Sequence, residues 1–303
     1  MLLLVNLILD TAYKDIVVNS AIDGRKDRQF ENFRDSLKYL LMGDSYMQGS
    51  VNPLIFDSSF NYASSNENFA QTYYKLKNIV EVKKRRPAYI ILPVDITSFS
   101  SFRTDRFRYD PYWIRYMDYF ELAKVKDDRH YIYKWLSAKI ISYAGNYDMI
   151  FKYFILLIKG NRDKVILGYL PRFDSFEFDS NKQKEAADQA NMFLKGYNSW
   201  DKDMVYYFRK ILEYCTGRNI KVILIRLPVT REFWTEAERL NPSGPYYRKI
   251  SDIVKLYPVV VYQYDFRKYF FGNPGYFRNP DHMNNKGAPV FSAMLNKEFN
   301  DKY

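Results

Sequence analysis

The sequence predicts an α/β fold: a doubly wound parallel sheet of about five strands with an inserted helical subdomain. Three observations predict it. Residues 37–42 (LKYLLM), 88–94 (AYIILPV), 220–227 (IKVILIRL) and 259–264 (VVVYQY) are short apolar runs, the pattern of strands covered on both faces. Helical patterns alternate with them, as parallel crossovers require. Apolar residues make up 47% of 303, enough for a sizeable core and too many for a disordered chain.

The elements follow in order. The first central strand, 37–42, ends in the turn signal Gly43-Asp44-Ser45, and 60–63 (FNYA) reads as a second strand. Residues 67–85 form a helix. Phe69, Tyr73, Leu76, Ile79 and Val80 recur at three- and four-residue steps. Lys83, Lys84, Arg85 and Arg86 crowd its end, where the helix dipole favours cations, and Pro87 stops it. Residues 88–94 are the third strand. From about 100 to 180 the rhythm breaks into aromatic-rich helical patterns, 112–122 and 131–158 among them, read as an inserted subdomain or lid. Residues 181–215 are helical, in one or two pieces, with Gly217 as the stop. Strand 220–227 runs into Pro228. Residues 230–240 and 245–256 are helical, 259–264 is the fifth strand, and 284–300 closes the chain as a helix. Five such strands predict a flavodoxin-like sheet. Residues 1–30 are then an apolar segment and lead-in, and 31–303 one α/β domain that carries the insertion.

Residues 1–9 (MLLLVNLIL) are too short for a membrane span, which takes about 20 apolar residues. They also lack the basic leader and cleavage site of a secretory signal. They read either as the tail of a signal anchor that starts upstream or as an apolar strand or helix packed on the core. Residues 151–158 (FKYFILLI) read as a buried helix or an interfacial face.

Lys+Arg 46 against Asp+Glu 35 gives a net charge of +11. That balance fits a polyanionic partner or a solvated basic surface. No helix-turn-helix, zinc-finger or RNA-recognition pattern accompanies it, so no nucleic-acid partner is expected. Cys215 is the single cysteine, which excludes an intrachain disulfide and a Cys-based zinc site; it reads as buried and inert. No metal and no cofactor is expected. Any histidine base must be His130 or His282.

In a doubly wound sheet, ligands bind at the carboxyl ends of the strands. That edge holds Gly43-Asp44-Ser45, Asn66-Glu67, Asp95 and Asp281-His282. Ser45 follows the first central strand, in a turn before a helix, where its hydroxyl can stand exposed beside backbone N–H groups. A serine needs a neighbouring base to become a nucleophile. His282 lies in a loop that returns to the same edge. His130 sits in a charged run of the insertion and reads as solvent-facing. Each of these residues also has a plainer reading: Ser45 as a turn residue, His282 as a cap or core histidine, Asp95 as a helix cap or partner of Arg103, Asn284 as the cap of the last helix.

Leu41-Met42-Gly43-Asp44-Ser45 resembles the first block of SGNH/GDSL-type hydrolases, and the run from Asn279 to Ala288 (NPDHMNNKGA) resembles their last block. The likeness is nearest to the bacterial envelope branch that includes DltD-like and alginate O-acetylation proteins. It covers both ends of the chain and skips roughly 100 to 180. The resemblance implies Ser45 as nucleophile, His282 as base and the Ser45 N–H as an oxyanion donor. Three positions depart from the family pattern. The acid normally three residues before the histidine is Asn279, and Asp281 supplies a carboxylate directly before His282, where adjacent side chains usually diverge. Asn66 replaces the usual glycine donor. Val94-Asp95 stands where the third-block asparagine would run.

The expected function is a serine acyl-ester enzyme, an O-acetyl or O-acyl transferase or esterase. It would act on a cell-envelope polysaccharide through an acyl-serine intermediate. Catalytic candidates are Ser45, His282, Asp281 and Asn279; oxyanion or substrate-binding candidates are Ser45, Asn66 and Asp95. The partners so implied are an acyl-acceptor glycan and a membrane-bound acyltransferase, in the periplasm or another extracytoplasmic compartment. The alternative is a non-catalytic module of the same fold that binds such a glycan or such a partner. A third reading is polyanion binding through the basic surface.

Overall fold

A computed structural model describes residues 2–56, 58–104, 112–125, 129–144, 155, 158, 164–172 and 180–301. Contacts divide the chain into two compact units, residues 34–108 with 166–303 and residues 1–33 with 109–165.

The first unit is α/β. Strands β1 (Tyr39–Leu41), β2 (Ser59–Asn61), β3 (Tyr89–Pro93), β4 (Lys221–Arg226) and β5 (Val260–Asp265) form one sheet in the order β2-β1-β3-β4-β5. Every pairing in it is parallel, with Leu40 opposite Phe60 on one side and Ile90 on the other. This is the flavodoxin-like doubly wound order that the sequence predicts. The chain reverses its direction of winding at β1, so the crevice at the carboxyl end of β1 and β3 is where such a sheet binds ligands.

Alternate strand residues face opposite layers. Tyr39, Leu41, Ile91, Ile223 and Ile225 share a core with Phe291, Leu295 and Phe299 of the helix Gly287–Asn300. The helices Phe69–Glu81 and Lys202–Arg218 pack together, Phe69 against Phe208 with ring centroids 5.2 Å apart.

Local chemistry sets the helix ends. Asn68 and Gln71 form a capping box, so the first long helix starts at Phe69, two residues later than its periodicity indicates. The helical stretch 181–215 is two helices, Ser180–Leu194 and Lys202–Arg218, the second capped by Asp201. Gly217, expected as the stop, lies inside that helix. Asn219 ends it in the left-handed conformation (φ 52°), its N–H directed at the Cys215 and Thr216 carbonyls. Asparagine tolerates that conformation better than other non-glycine residues.

The second unit is helical: Leu2–Tyr13, a π-helical turn Lys14–Val18, Ile22–Asn32, Tyr112–Tyr116, Tyr119–Val125 and Arg129–Ile140. The N-terminal segment and the inserted helices therefore share one unit. Asp10 accepts the Ser142 N–H at 2.6 Å, and the Tyr143 hydroxyl meets Asn6 Oδ1 at 2.6 Å. The N-terminal helix does not bury its apolar run: Leu4, Val5, Leu7, Ile8 and Leu9 are exposed. Among the described residues no helix is long and apolar enough to cross a membrane. Residues 151–158 lie almost wholly outside the described residues, so the reading of FKYFILLI does too.

Candidate active site

The turn after β1 is built for close approach. Gly43 has φ 118°, and a Cβ there would come within 2.5 Å of Pro93 Cγ, so only glycine fits. The Met42 N–H still bonds the Ile91 carbonyl. Asp44 then caps the short helix Ser45–Ser50. Its Oδ1 accepts the Tyr46 N–H at 3.1 Å, and its Oδ2 meets Arg103 Nη2 at 2.6 Å. Both partners are buried. Arg103 thus pairs with Asp44 and not with Asp95. Ser45 is the first residue of that helix, so its N–H has no intrahelical acceptor.

His282 reaches Ser45 from a small antiparallel ribbon, β6 (Phe277–Asn279) and β7 (His282–Met283), in which Asn279 pairs with His282. Asn284 fastens its base. Its amide donates to the Gly275 and Phe277 carbonyls, and its Oδ1 accepts the N–H groups of Lys286 and Gly287 at the start of the last helix. His282 Nε2 lies 2.8 Å from Ser45 Oγ. Nδ1 lies 2.6 Å from Asp281 Oδ1 and 3.1 Å from Asn279 Oδ1. The Asn279 oxygen faces the histidine because it also accepts the His282 N–H at 2.9 Å. Two acceptors at Nδ1 require that nitrogen to carry a ring proton, so in the neutral imidazole the Nε2 lone pair faces the serine hydroxyl.

Asp281 therefore does not diverge from its neighbour. It stands at the bend between the two strands rather than within one, so strand alternation does not set its direction. Its carboxylate is buried, 1% exposed, and held by further donors. Gln189 Nε2 donates to Oδ1 at 2.5 Å, and the Tyr46 hydroxyl donates to Oδ2. The Tyr46 ring stands edge-on to the imidazole, centroids 4.6 Å apart. Burial, then the Asp281 charge, push the Tyr46 hydroxyl well above its usual value, so it stays protonated and donating.

Ser45, His282, Asp281 and Asn279 thus meet at one point, and Tyr46 and Gln189 join them. Tyr46 adjoins Ser45 in sequence, the one signal that could have drawn attention to it. Gln189 lies in a helix of Lys, Glu, Asp and Gln, whose composition reads as a solvated face.

Asn66 is exposed, in the left-handed conformation (φ 61°). Its turn is tied to the serine turn by the Ser64 N–H, which donates to the Gly43 carbonyl at 2.9 Å. Beneath it lies a buried ion pair. Lys75 Nζ donates to the Tyr62 carbonyl at 2.8 Å, to Ser64 Oγ at 3.1 Å and to the Glu67 carboxylate, whose Oε1 accepts the Thr72 hydroxyl at 2.7 Å.

No hydrogen bond joins Asp95 to Ser45 or His282. Its Oδ1 accepts the Leu227 N–H at 3.2 Å, and its Oδ2 is buried without a partner among the described residues. It lines a cavity of about 30 Å³ with Tyr46, Thr97, Val229 and Arg267. Burial, then the Asp44 charge, push its carboxyl up to about 8. His130 is exposed, and Cys215 is buried with its thiol pushed up to about 12 by burial. Among the described residues no His, Cys, Asp or Glu cluster suits a metal ion.

No curated protein matches the chain. A family model described as a protein of unknown function (DUF1574) matches residues 56–285, which takes in Asn66, Asp95, Asn279, Asp281 and His282 and begins after Ser45. The match spans well over half of the sequence, so the chain belongs to the DUF1574 family.

Proposed function

We propose that the chain is an SGNH-like serine acyl-ester enzyme, an O-acyltransferase or esterase acting on a cell-envelope polysaccharide. One observation carries the reading: the unbroken line from Ser45 Oγ through His282 to the Asp281 carboxylate, with spacings of 2.8 and 2.6 Å. A serine turn, a histidine with its Nε2 free and a buried carboxylate on Nδ1 are the parts that nucleophilic acyl chemistry needs.

The chemistry follows from the protonation state. Ser45 Oγ attacks an ester carbonyl as its proton passes to His282 Nε2. The resulting imidazolium is stabilised by Asp281, with Asn279 fixing the ring. The oxyanion of the tetrahedral intermediate faces the Ser45 N–H, and the Asn66 turn can bring a second donor; each such donor is worth about 3–4 kcal/mol in the transition state. Collapse breaks the ester C–O bond, and Nε2–H protonates the leaving alkoxide. Water or a sugar hydroxyl then attacks the acyl-serine and gives its proton to Nε2, and as the acyl–Oγ bond breaks Nε2–H returns that proton to Ser45 Oγ. The acceptor glycan, a membrane-bound acyltransferase partner and an extracytoplasmic location rest on the motif resemblance.

A non-catalytic glycan-binding module is the second reading. It is favoured by Asp95, which stands where the resemblance expects an asparagine donor and is turned to the Leu227 N–H. A fluorophosphonate probe separates the two. The acyl-enzyme reading expects labelling of the wild type and none of Ser45→Ala, with p-nitrophenyl acetate hydrolysis lost in His282→Ala. No labelling of the wild type, or full labelling of Ser45→Ala, overturns it.

A further inference from the structure

The edge of the sheet opposite Ser45 carries a second feature. An open bowl of about 830 Å³ lies at the amino ends of β1, β3 and β4, with Arg34, Lys38, Lys84, Arg85 and Arg86 on its walls. Two separate segments build it. Lys38 immediately precedes β1, and its carbonyl accepts the Tyr89 N–H at 2.9 Å. Lys84 and its neighbours follow the helix Phe69–Glu81, and the Arg85 N–H returns to the Ile79 carbonyl at 3.0 Å.

The charges in this bowl are poorly balanced. Asp35 is the one carboxylate among the described lining residues. Arg34, Lys38, Lys84 and Arg86 form no ion pair among the described residues, and Arg86 directs its guanidinium group at the Arg218 carbonyl. Lys38 lies over the Tyr39 ring. The C-terminal dipole of the preceding helix accounts for cations at 84–86. It does not account for Lys38, which comes from another segment.

We propose that this bowl binds one strand of a polyanion with repeated phosphate or carboxylate groups. The cations come from two separate segments and surround one shallow recess, an arrangement that suits the closely repeated charges of a single chain. The lining favours a base-free polymer, because among the described residues it holds no aromatic side chain on which nucleobases could stack. Multivalent pairing of this kind gains its free energy from counterion release and weakens steeply with salt. The site lies across the sheet from the serine, and its binding does not depend on acyl chemistry.

The test is a titration of the whole chain with long-chain inorganic polyphosphate at several salt concentrations. The wild type is expected to bind with a steep salt slope. The variant carrying Arg34→Gln, Lys38→Gln, Lys84→Gln and Arg86→Gln is expected to lose about tenfold or more in affinity and about 3 in slope. A second variant, with Lys184→Gln, Lys202→Gln, Arg248→Gln and Lys255→Gln, removes the same charge elsewhere and is expected to bind within about twofold of the wild type. Circular dichroism checks that both remain folded. Equal losses in the two variants overturn the proposal, since net charge alone then explains binding. Tighter binding to phosphatidylglycerol vesicles or to a single-stranded oligonucleotide than to polyphosphate also overturns it, as does no salt-dependent binding at all.

Discussion

The Tyr46 hydroxyl donates to Oδ2 of Asp281, the carboxylate whose other oxygen meets His282 Nδ1. The residue after the serine thereby holds the carboxylate that meets the imidazole. Tyr46→Phe keeps the ring against the imidazole and leaves a buried carboxylate oxygen without its donor. A loss of about 1–3 kcal/mol in stability is expected by urea unfolding. A fall in acylation rate should accompany it, because the carboxylate is no longer fixed toward Nδ1. Unchanged stability and rate would show that the hydroxyl is not engaged.

Asp281 and Asn279 both reach Nδ1, and substitution tells them apart. On the proposed mechanism, Asp281→Asn removes the charge that stabilises the imidazolium, and an amide there can present its N–H₂ to the ring. A loss of about 10³–10⁴ in kcat is expected. Asn279→Ala removes only an orienting acceptor and should cost about tenfold. Rates with p-nitrophenyl acetate read both; a larger loss from Asn279→Ala would reverse the two roles.

Asp95 makes stability depend on pH. Its folded carboxyl titrates at about 8, and an unfolded aspartate titrates at about 4. Between those values the unfolded chain has released a proton that the folded chain keeps, so stability falls as pH rises. The contribution is fully present below about pH 4 and gone above about pH 8. Asp95→Asn should flatten that decline by a few kcal/mol when urea unfolding is compared at pH 5 and pH 8.5. A parallel pH dependence in both proteins would contradict the assignment.

The Lys75–Glu67 pair supports the turn that carries Asn66. Lys75→Met strands a buried carboxylate and should cost about 3–5 kcal/mol. The double variant Lys75→Met with Glu67→Leu leaves no lone charge and should recover part of that loss. Additive losses in the double variant would mean that the two residues do not act as a pair.

Four of the five strands were legible because each is a short apolar run bounded by a turn or a proline; β2, Ser59–Asn61, is the weaker signal. Exact helix ends were less so. They depend on which side chain wins a cap: Asn68 over Glu67 at one start, Asn219 over Gly217 at one end. Ser45 and His282 were legible from their places beyond β1 and near the last helix. The choice between Asn279 and Asp281 was not, because it turns on the bend of a two-strand ribbon that has no periodic signature. Gln189 had a signal that its polar neighbours masked: Ala186, Ala190 and Phe193 mark the buried face of its helix, and Gln189 shares that face at i+3 and i−4.

Asn279, Asp281 and His282 ride on a single hairpin whose foot is pinned by Asn284. The imidazole, its counter-charge and its aligning amide therefore form one cartridge. Heat or denaturant that frees this hairpin would part the imidazole and its carboxylate from the serine in a single event. The proposed acyl-ester turnover should then switch off abruptly, ahead of the collapse of the surrounding strands.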